Sequence, residues 1–159
     1  MNSEAAWAVL DTVPDPEVPV LSLRDLGIVR DVVVTGDAVE VVLTPTYSGC
    51  PATEVIAQSV HDAFAAAGCS QVTVTQRRAP AWTTDWISAA GREKLRAYGI
   101  APPGPVPAAS IVSIRPRNIA CPRCDSSDTE RLSAFGSTAC KALYRCRACR
   151  EPFEHFKLL

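Results

Sequence analysis

Two Cys-x-x-Cys pairs stand in the last third of the chain and constrain its fold more than any other feature. The first pair is Cys121-Pro122-Arg123-Cys124, and the second is Cys146-Arg147-Ala148-Cys149. Four thiolates at this spacing can converge on one tetrahedral ion, a geometry that Zn²⁺ and a single iron ion both accept. Between the pairs, residues 129–135 and 142–145 have the composition of two short strands around a Gly136-Ser137-Thr138 turn. The pattern predicts a hairpin closed by a metal ion with four ligands, Cys121, Cys124, Cys146 and Cys149.

Two disulfides or a set of inert buried thiols would also explain these cysteines, so the redox compartment decides between the alternatives. Residues 1–10 include Glu4 but no basic segment and no long apolar core, which argues against a signal peptide. No segment approaches the roughly 18 consecutive apolar residues of a membrane span. We therefore expect a cytoplasmic, reduced protein in which the paired cysteines form a zinc-ribbon-like module around structural zinc. The sequence leaves open whether the cell loads this site with zinc or with iron.

The residue after each cysteine pair counts slightly against the metal site. A metal-binding Cys-x-x-Cys turn, hereafter a knuckle, often has glycine at this position, because the chain turns through a left-handed conformation there. Asp125 and Arg150 occupy these two positions. Asp tolerates the left-handed conformation better than Arg does.

Length and charge limit the rest of the chain. Its 159 residues, 47% of them hydrophobic, suffice for one ordinary core and a small additional module. Residues 1–110 hold 7 Lys+Arg and 12 Asp+Glu, whereas residues 111–159 hold 9 and 5. A basic cysteine module fits a nucleic-acid surface, a contact with an acidic protein, or two solvated faces that attract each other. The last alternative is the simplest.

A proline-rich stretch marks the domain boundary. Residues 101–110 contain four prolines and no charged residue, so they cannot extend a helix or complete a strand ladder. We expect three parts: a body at 1–100, a Pro-rich linker at 101–118 and the cysteine module at 119–159.

Hydrophobic periodicity in the body indicates a small two-layer α/β domain. Apolar positions at helical spacing predict helices at 4–13, 51–67 and 85–98. Valine-rich segments predict strands at 28–35, 38–44 and 71–76, the first two joined by the Gly36-Asp37 turn.

Two stretches of the body resemble the motifs of a known family. Asp15-Pro16-Glu17-Val18-Pro19-Val20, followed by Asp25-Leu26-Gly27-Ile28-Val29, is similar to the signature of the MIP18-like iron–sulfur assembly family. Thr44-Pro45-Thr46-Tyr47-Ser48-Gly49-Cys50-Pro51 is similar to that family's second motif, in which a cysteine stands at the start of a helix. The resemblance covers roughly residues 5–99 and implies an iron–sulfur assembly domain.

The end of the chain resembles a more specific family. The run Phe135-Gly136-Ser137-Thr138-Ala139-Cys140-Lys141-Ala142-Leu143-Tyr144-Arg145-Cys146, with Glu151-Pro152-Phe153 after it, resembles the metal-binding tail of the PaaD family. Members of that family are accessory proteins of phenylacetyl-CoA epoxidase in phenylacetate catabolism. The resemblance implies a maturation role outside the core catalytic oxygenase, without catalysis by the chain itself. The reductase subunit of that system needs a 2Fe–2S cluster and the oxygenase subunit needs a di-iron centre, so either subunit is a candidate client.

The resemblance also implies roles for three residues of the body. A thiol at a helix N-terminus, as expected for Cys50, feels the positive end of the helix dipole and forms a metal-binding thiolate more readily. Asp15 and Glu17 lie in a Pro-bracketed loop and offer oxygen ligands for a transient iron ion or cluster. The alternatives are that Cys50 only caps the helix, that Asp15 forms an Asx-turn and that Glu17 is solvated.

Cys140 is the fifth cysteine of the module. It precedes Cys146 by six residues, so an extended strand would hold it about 20 Å from the knuckle, too far for a zinc ligand. Lys141 beside it would favour the thiolate. We expect Cys140 to join Cys50 in the transient iron or cluster site, on the same or a partner molecule, with local packing as the alternative.

Two other classes of function remain open. A nucleic-acid-binding ribbon would use the basic tail, and a stable regulatory subunit would bind the oxygenase without handling metal. A homodimer is also compatible with the sequence, whereas a membrane partner is not expected. We interpret Cys69 and Trp86 as packing residues, with an exposed aromatic docking patch of Trp82 and Trp86 as the alternative, and His61 and His155 as structural or exposed.

Overall fold

The computed structural model describes residues 1–47, 49, 51–106 and 118–158, and it divides the chain into two compact units, Met1–Gly91 and Arg92–Leu159. The predicted boundary after residue 100 differs from this division. Strand Ile100–Ala101 is paired in parallel with the strand Pro152–Phe156, so these residues fold with the second unit. Most of the predicted linker, residues 107–117, lies outside the described residues.

The first unit is a two-layer α/β domain, which confirms the predicted fold class. Its elements in chain order are α1 (Ser3–Asp11), β1 (Val29–Thr35), β2 (Ala38–Leu43), α2 (Ala52–Ala66) and β3 (Gln71–Gln76). β2 lies in the centre of the sheet, antiparallel to β1 and parallel to β3. Helices and sheet bury a common apolar set: Leu10, Val39, Val41, Val60 and Phe64.

Local sequence signals explain where the helices of this unit begin and end. Asn2 caps α1 through its side-chain oxygen, which accepts a hydrogen bond from the Ala5 N–H at 2.8 Å. Gly68, at φ +82°, follows α2 in the left-handed conformation that commonly ends helices. Within the described ranges, no helix combines the length and the apolar character needed to cross a membrane.

The helix predicted at 85–98 is interrupted near its start. A short 3₁₀ helix covers Thr84–Trp86, and α3 covers Ala89–Tyr98. Ile87 between them is extended and buried. The Ser88 hydroxyl accepts a hydrogen bond from the Gly91 N–H at 2.9 Å, so Ser88 caps α3. Burial of Ile87 and capping by Ser88 together begin α3 later than the apolar periodicity predicted.

The second unit contains a four-stranded sheet. Its strands are β4 (Ile100–Ala101), β5 (Thr129–Ser133), β6 (Lys141–Cys146) and β7 (Pro152–Phe156), in the order β4-β7-β6-β5. The β5–β6 hairpin was predicted. β4 and β7 were not, because one is very short and the other begins with proline and has two consecutive polar residues, Glu154 and His155.

A small core lies on one side of this sheet. Ala101, Cys121, Cys146 and Phe153 form a buried cluster, against which Ile119 and Tyr144 pack. His155 is also buried and meets the Tyr144 ring edge-on, with 5.6 Å between ring centroids. Burial lowers the pKa of His155 to about 4, so the imidazole is neutral at pH 7. His155 is therefore structural, one of the two roles that we expected for it.

One glycine of the first unit permits a close backbone approach. Gly27 has φ +73°, and a Cβ at this position would lie 2.3 Å from the Trp86 carbonyl oxygen. Gly36, in the β1–β2 turn, has a similar φ of +61°, but a Cβ there would meet nothing within 4 Å. Substituting each glycine in turn therefore distinguishes the cost of a left-handed conformation from the cost of a steric clash.

We predict that Gly27→Ala destabilises the protein much more than Gly36→Ala does. Gly36→Ala should cost about 1 kcal/mol, the usual penalty for a side chain in the left-handed region. Gly27→Ala should cost roughly 3 kcal/mol, because backbone atoms of Trp86 must also move. Denaturant unfolding of both purified variants measures the difference. Equal losses would contradict the close approach.

Candidate metal centre

The two Cys-x-x-Cys segments fold into matching tight turns. In the first, the Cys121 N–H donates to the Ser126 carbonyl at 2.9 Å, and the Asp125 N–H donates to the Cys121 carbonyl at 3.0 Å. In the second, the Cys146 N–H donates to the Glu151 carbonyl at 3.0 Å, and the Cys149 N–H approaches Cys146 Sγ at 3.4 Å. These bonds turn each segment so that both of its sulfur atoms face the other segment.

The four sulfur atoms converge as a tetrahedral metal site requires. All four Sγ atoms lie within 4.8 Å of one another. Cys121 Sγ is 3.8 Å from Cys149 Sγ, and Cys124 Sγ is 3.6 Å from Cys146 Sγ. A zinc ion with Zn–S bonds of about 2.3 Å would separate its ligands by about 3.8 Å. The donor set and its spacing therefore fit Zn²⁺.

The centre has a buried side and an exposed side. Cys121 and Cys146 are completely buried within the core cluster of the second unit. Cys124 and Cys149 are exposed. Each knuckle thus contributes one sulfur to the core and one to the surface.

The thiols perturb one another's protonation. The Cys149 backbone N–H, which approaches Cys146 Sγ, is the largest cause that lowers the pKa of Cys146 to about 7. The Glu151 backbone lowers the pKa of Cys149, but burial and the neighbouring Sγ atoms outweigh it and raise this pKa to about 12. One thiol of the group therefore ionises readily, whereas a second ionises only with difficulty. A divalent cation removes this conflict, because it favours the thiolate form of every ligand.

The backbone after each knuckle adopts the left-handed conformation that we expected. Asp125 has φ +61° and Arg150 has φ +63°. Asp125 also pairs with Arg96. Arg150 is exposed and forms no ion pair or side-chain hydrogen bond among the described residues. The second knuckle therefore bears a conformational cost that no side-chain contact offsets.

The Asp15–Glu17 loop shows the Asx-turn alternative. Asp15 is buried, and its Oδ1 accepts hydrogen bonds from the N–H groups of Glu17 at 2.9 Å and Val18 at 2.8 Å. These bonds order the loop. Glu17 is half-buried. Cys50, the residue that we expected to act with this loop, lies outside the described residues, as does Ser48.

Cys140 lies immediately before β6, and its surroundings differ from our expectation of an accessible thiol. It is only 4% exposed, and its Sγ lies 3.0 Å from the Thr138 hydroxyl. Lys141, which we expected to favour the Cys140 thiolate, is buried and forms an ion pair with Glu154 at 3.0 Å. The alternative of local packing therefore describes Cys140 better. No local signal pointed to this arrangement, because Glu154 lies on a strand that we did not predict.

Cys69 and Trp86 pack as we expected, and Trp82 is buried too, so it does not join an exposed aromatic patch. Cys69 is buried, with its Sγ 3.5 Å from the Asp37 carbonyl oxygen. Trp82 is buried and donates a hydrogen bond from its indole N–H to the Leu26 carbonyl at 3.0 Å. Trp86 is half-buried beneath Arg30, whose guanidinium lies 3.6 Å from the ring centroid.

Comparison with protein families separates the chain into the same two kinds of module. Residues 3–75 match the family model described as iron–sulfur cluster assembly protein. Residues 109–157 match the model described as PaaD zinc beta ribbon domain. The chain is thus an iron–sulfur-assembly-type domain joined to a zinc ribbon domain, which confirms both resemblances.

A curated relative identifies the family. The chain is 50% identical, over 153 residues, to a protein of Escherichia coli (strain K12) whose name provisionally assigns it to 1,2-phenylacetyl-CoA epoxidase as one of the subunits. The alignment covers 96% of this chain and 91% of the relative. The chain belongs to the PaaD family.

Solved structures resemble the body. A domain of unknown function from Bacillus anthracis, DUF59, has a TM-score of 0.54 at 24% identity. The match covers 58% of this chain and 89% of that domain's chain. A conserved hypothetical protein from Thermotoga maritima has a TM-score of 0.51 at 29% identity. The match covers 60% of this chain and 94% of that protein's chain. Both confirm the fold of the first domain.

We predict that Arg150→Gly stabilises the zinc ribbon domain by roughly 0.5–1 kcal/mol, because glycine adopts φ +63° without steric penalty. Arg150→Ala is the matched control, since alanine also loses the guanidinium but keeps the conformational cost. Thermal unfolding of the two variants with zinc present measures the effect. An Arg150→Gly variant that is no more stable than Arg150→Ala would contradict it.

We also predict that Cys124→Ser removes bound zinc and unfolds the ribbon, because its small core cannot replace the stabilisation by metal. Cys140→Ser, the same substitution in the same domain, should retain one zinc per chain. Metal analysis and near-ultraviolet circular dichroism report the two effects. A ribbon that stays ordered after complete removal of metal would refute the structural role of the ion.

Proposed function

We propose that this protein is a non-catalytic accessory factor that assists iron–sulfur cluster or iron assembly in phenylacetyl-CoA epoxidase. The observation that carries the proposal is the pairing, in one chain, of an iron–sulfur-assembly-type domain with a PaaD zinc ribbon. The name of the Escherichia coli relative supports the epoxidase as the client system. The cluster or iron is cargo in this proposal and is delivered to the reductase or the oxygenase subunit.

The two domains have different tasks in this proposal. Cys121, Cys124, Cys146 and Cys149 hold one structural zinc ion, since two of these sulfur atoms belong to the ribbon's own core. A metal centre that holds a core together is poorly suited to give up its ion. Handling of the cargo therefore falls to the first domain, at its motif-bearing loops.

Cys50 is the proposed cargo-binding thiol of the first domain. In the sequence it precedes Pro51, the N-cap of α2, which makes no side-chain capping hydrogen bond. The N-terminus of a helix favours a thiolate nearby. Glu17 is the proposed oxygen donor, and Asp15 positions the loop that carries it. Cys140 is left out of this set because its thiol is buried.

We place this function in the cytoplasm, because free cysteines persist in reducing compartments. The described cysteines, Cys69, Cys121, Cys124, Cys140, Cys146 and Cys149, are all free. A cysteine-based cargo site would require the same conditions.

A stable, non-catalytic component of the oxygenase is the second candidate. The name of the Escherichia coli relative favours it, since that name describes a subunit. An assembly factor is needed only transiently, whereas a regulatory subunit remains bound in the active enzyme. Stoichiometric co-purification with fully active epoxidase would favour this candidate over the assembly role.

We predict that Cys50→Ala impairs epoxidase maturation and leaves the first domain folded. The variant would be co-expressed with the epoxidase subunits, and the iron content of the purified reductase and oxygenase would be measured beside their activity. Cys69→Ala is the matched control, because it removes another thiol from the same domain. Cys50→Ala should lower the iron content of one client at least tenfold relative to the control, as expected for loss of a metal ligand.

A second pair of variants separates loop order from charge at Asp15. Asp15→Asn keeps the Oδ1 acceptor that orders the loop, and Asp15→Ala removes it. We expect Asp15→Asn to support maturation and Asp15→Ala to weaken it.

Normal iron content in both clients with Cys50→Ala would refute the cargo role of Cys50.

A further inference from the structure

The end of β5 and the turn that follows it present the exposed apolar side chains of the ribbon. Between residues 118 and 158, the large hydrophobic side chains that remain exposed are Leu132, at 50%, and Phe135, at 64%. Single exposed apolar residues are common on proteins and need no explanation. Two within four residues, one of them aromatic, are the composition from which interface hot spots are built.

Polar contacts hold the β5–β6 turn in one conformation. The carboxylate of Glu154 accepts a hydrogen bond from the Ser137 N–H and pairs with the buried ammonium of Lys141 at 3.0 Å. Gly136 lies against the same carboxylate, so closely that a Cβ would come within 2.5 Å of its Oε1. The turn is therefore preorganised, which lowers the entropic cost of binding.

Lys157 fixes the aromatic ring of the turn. Its ammonium donates a hydrogen bond to the Ala134 carbonyl at 3.1 Å and lies 4.5 Å from the centroid of the Phe135 ring. This cation–π contact keeps the ring extended from the turn even though the ring is mostly exposed. Phe135 thus combines exposure with a defined orientation.

The edge of the sheet beside the turn does not favour addition of another strand. β5 is an edge strand, paired with β6 alone among the described strands. Its register shifts between Arg131 and Ser133, which places Leu132 at an irregularity. Such irregularities interrupt the row of backbone groups that a new strand would need. A partner would therefore bind this region through side chains.

The charge of the second unit indicates the chemistry of that partner. Arg92–Leu159 contains 12 Lys+Arg and 6 Asp+Glu. Glu154 is paired with Lys141, and Glu130 with Arg145 and Arg147. Arg131, on β5, is exposed and forms no ion pair among the described residues. Arg131, next to Leu132 in the chain, and Lys157, beside the Phe135 ring, give this region positive charge that complements carboxylates.

We propose that Leu132, Phe135, Arg131 and Lys157 form a docking surface for a protein partner, hereafter the tip surface. The partner segment it fits carries an apolar side chain flanked by Asp or Glu. Phe135 and Leu132 contact the apolar side chain, and the two cations contact the carboxylates. This inference rests on the proposed function, which supplies the epoxidase subunits as the partner.

Affinity measurements with purified full-length protein test the tip surface. Binding of the purified epoxidase reductase and oxygenase subunits would be measured by calorimetry at low and high salt. Phe135→Ser should weaken binding of one client tenfold or more, the effect of removing an interface hot spot. Tyr98→Ser, which removes a 63% exposed aromatic side chain from α3 in the same unit, should bind as the wild type does. Zinc content and thermal unfolding verify that each variant is folded.

Arg131→Glu tests the charge. It should weaken binding of the same client and reduce the salt dependence. Tighter binding by this variant would overturn the assignment of an acidic partner.

Three further outcomes would overturn the inference. A Phe135→Ser variant that binds both subunits as well as the wild type does would refute the tip surface and leave the proposed function intact. A wild-type dimer that Phe135→Ser dissociates, measured by sedimentation, would assign the surface to a second copy of the chain. Absence of binding of any epoxidase subunit by the wild type would overturn the proposed function and this inference together.

Discussion

The second unit depends on a metal ion, because its four thiols lie too close together to be thiolates at the same time without one. Cys121 and Cys146 are core residues as well as metal-site residues, and few other buried side chains accompany them. A cysteine module of roughly 40 residues has too little apolar area to fold by burial alone. A divalent cation supplies the missing stabilisation, because it draws the two knuckles together and thereby closes the sheet between them.

In the first unit, polar contacts hold the motif-bearing loops in their conformation. Asp15 organises its own loop through backbone N–H groups, and Asp25 accepts hydrogen bonds from the Ser22 N–H and the Ser88 hydroxyl. Both carboxylates are buried. Acidic residues in the family motifs thus maintain loop geometry, and the chemistry proposed for this region is left to fewer groups, Cys50 and Glu17.

Much of this architecture was predictable because it follows from short-range signals. Valine-rich segments located β1 to β3, and the spacing of four cysteines located the metal centre. Asp125 and Arg150 adopt the left-handed conformation that a knuckle requires, although neither residue is glycine. What escaped prediction depends on contacts between distant segments. The pairing of Lys141 with Glu154 and the burial of Cys140 require β7, a strand whose sequence has no alternating apolar pattern.

The parallel pairing of β4 with β7 has a consequence for how this module can be inherited and exchanged. The recognisable ribbon sequence begins at residue 109, whereas the folded unit begins at Arg92 and takes its edge strand from Ile100–Ala101. A recombination event at the proline-rich stretch would therefore transfer the metal knuckles without their bordering strand. The recipient protein would have to supply a replacement, or leave the hydrogen-bonding edge of β7 open to pairing with other chains.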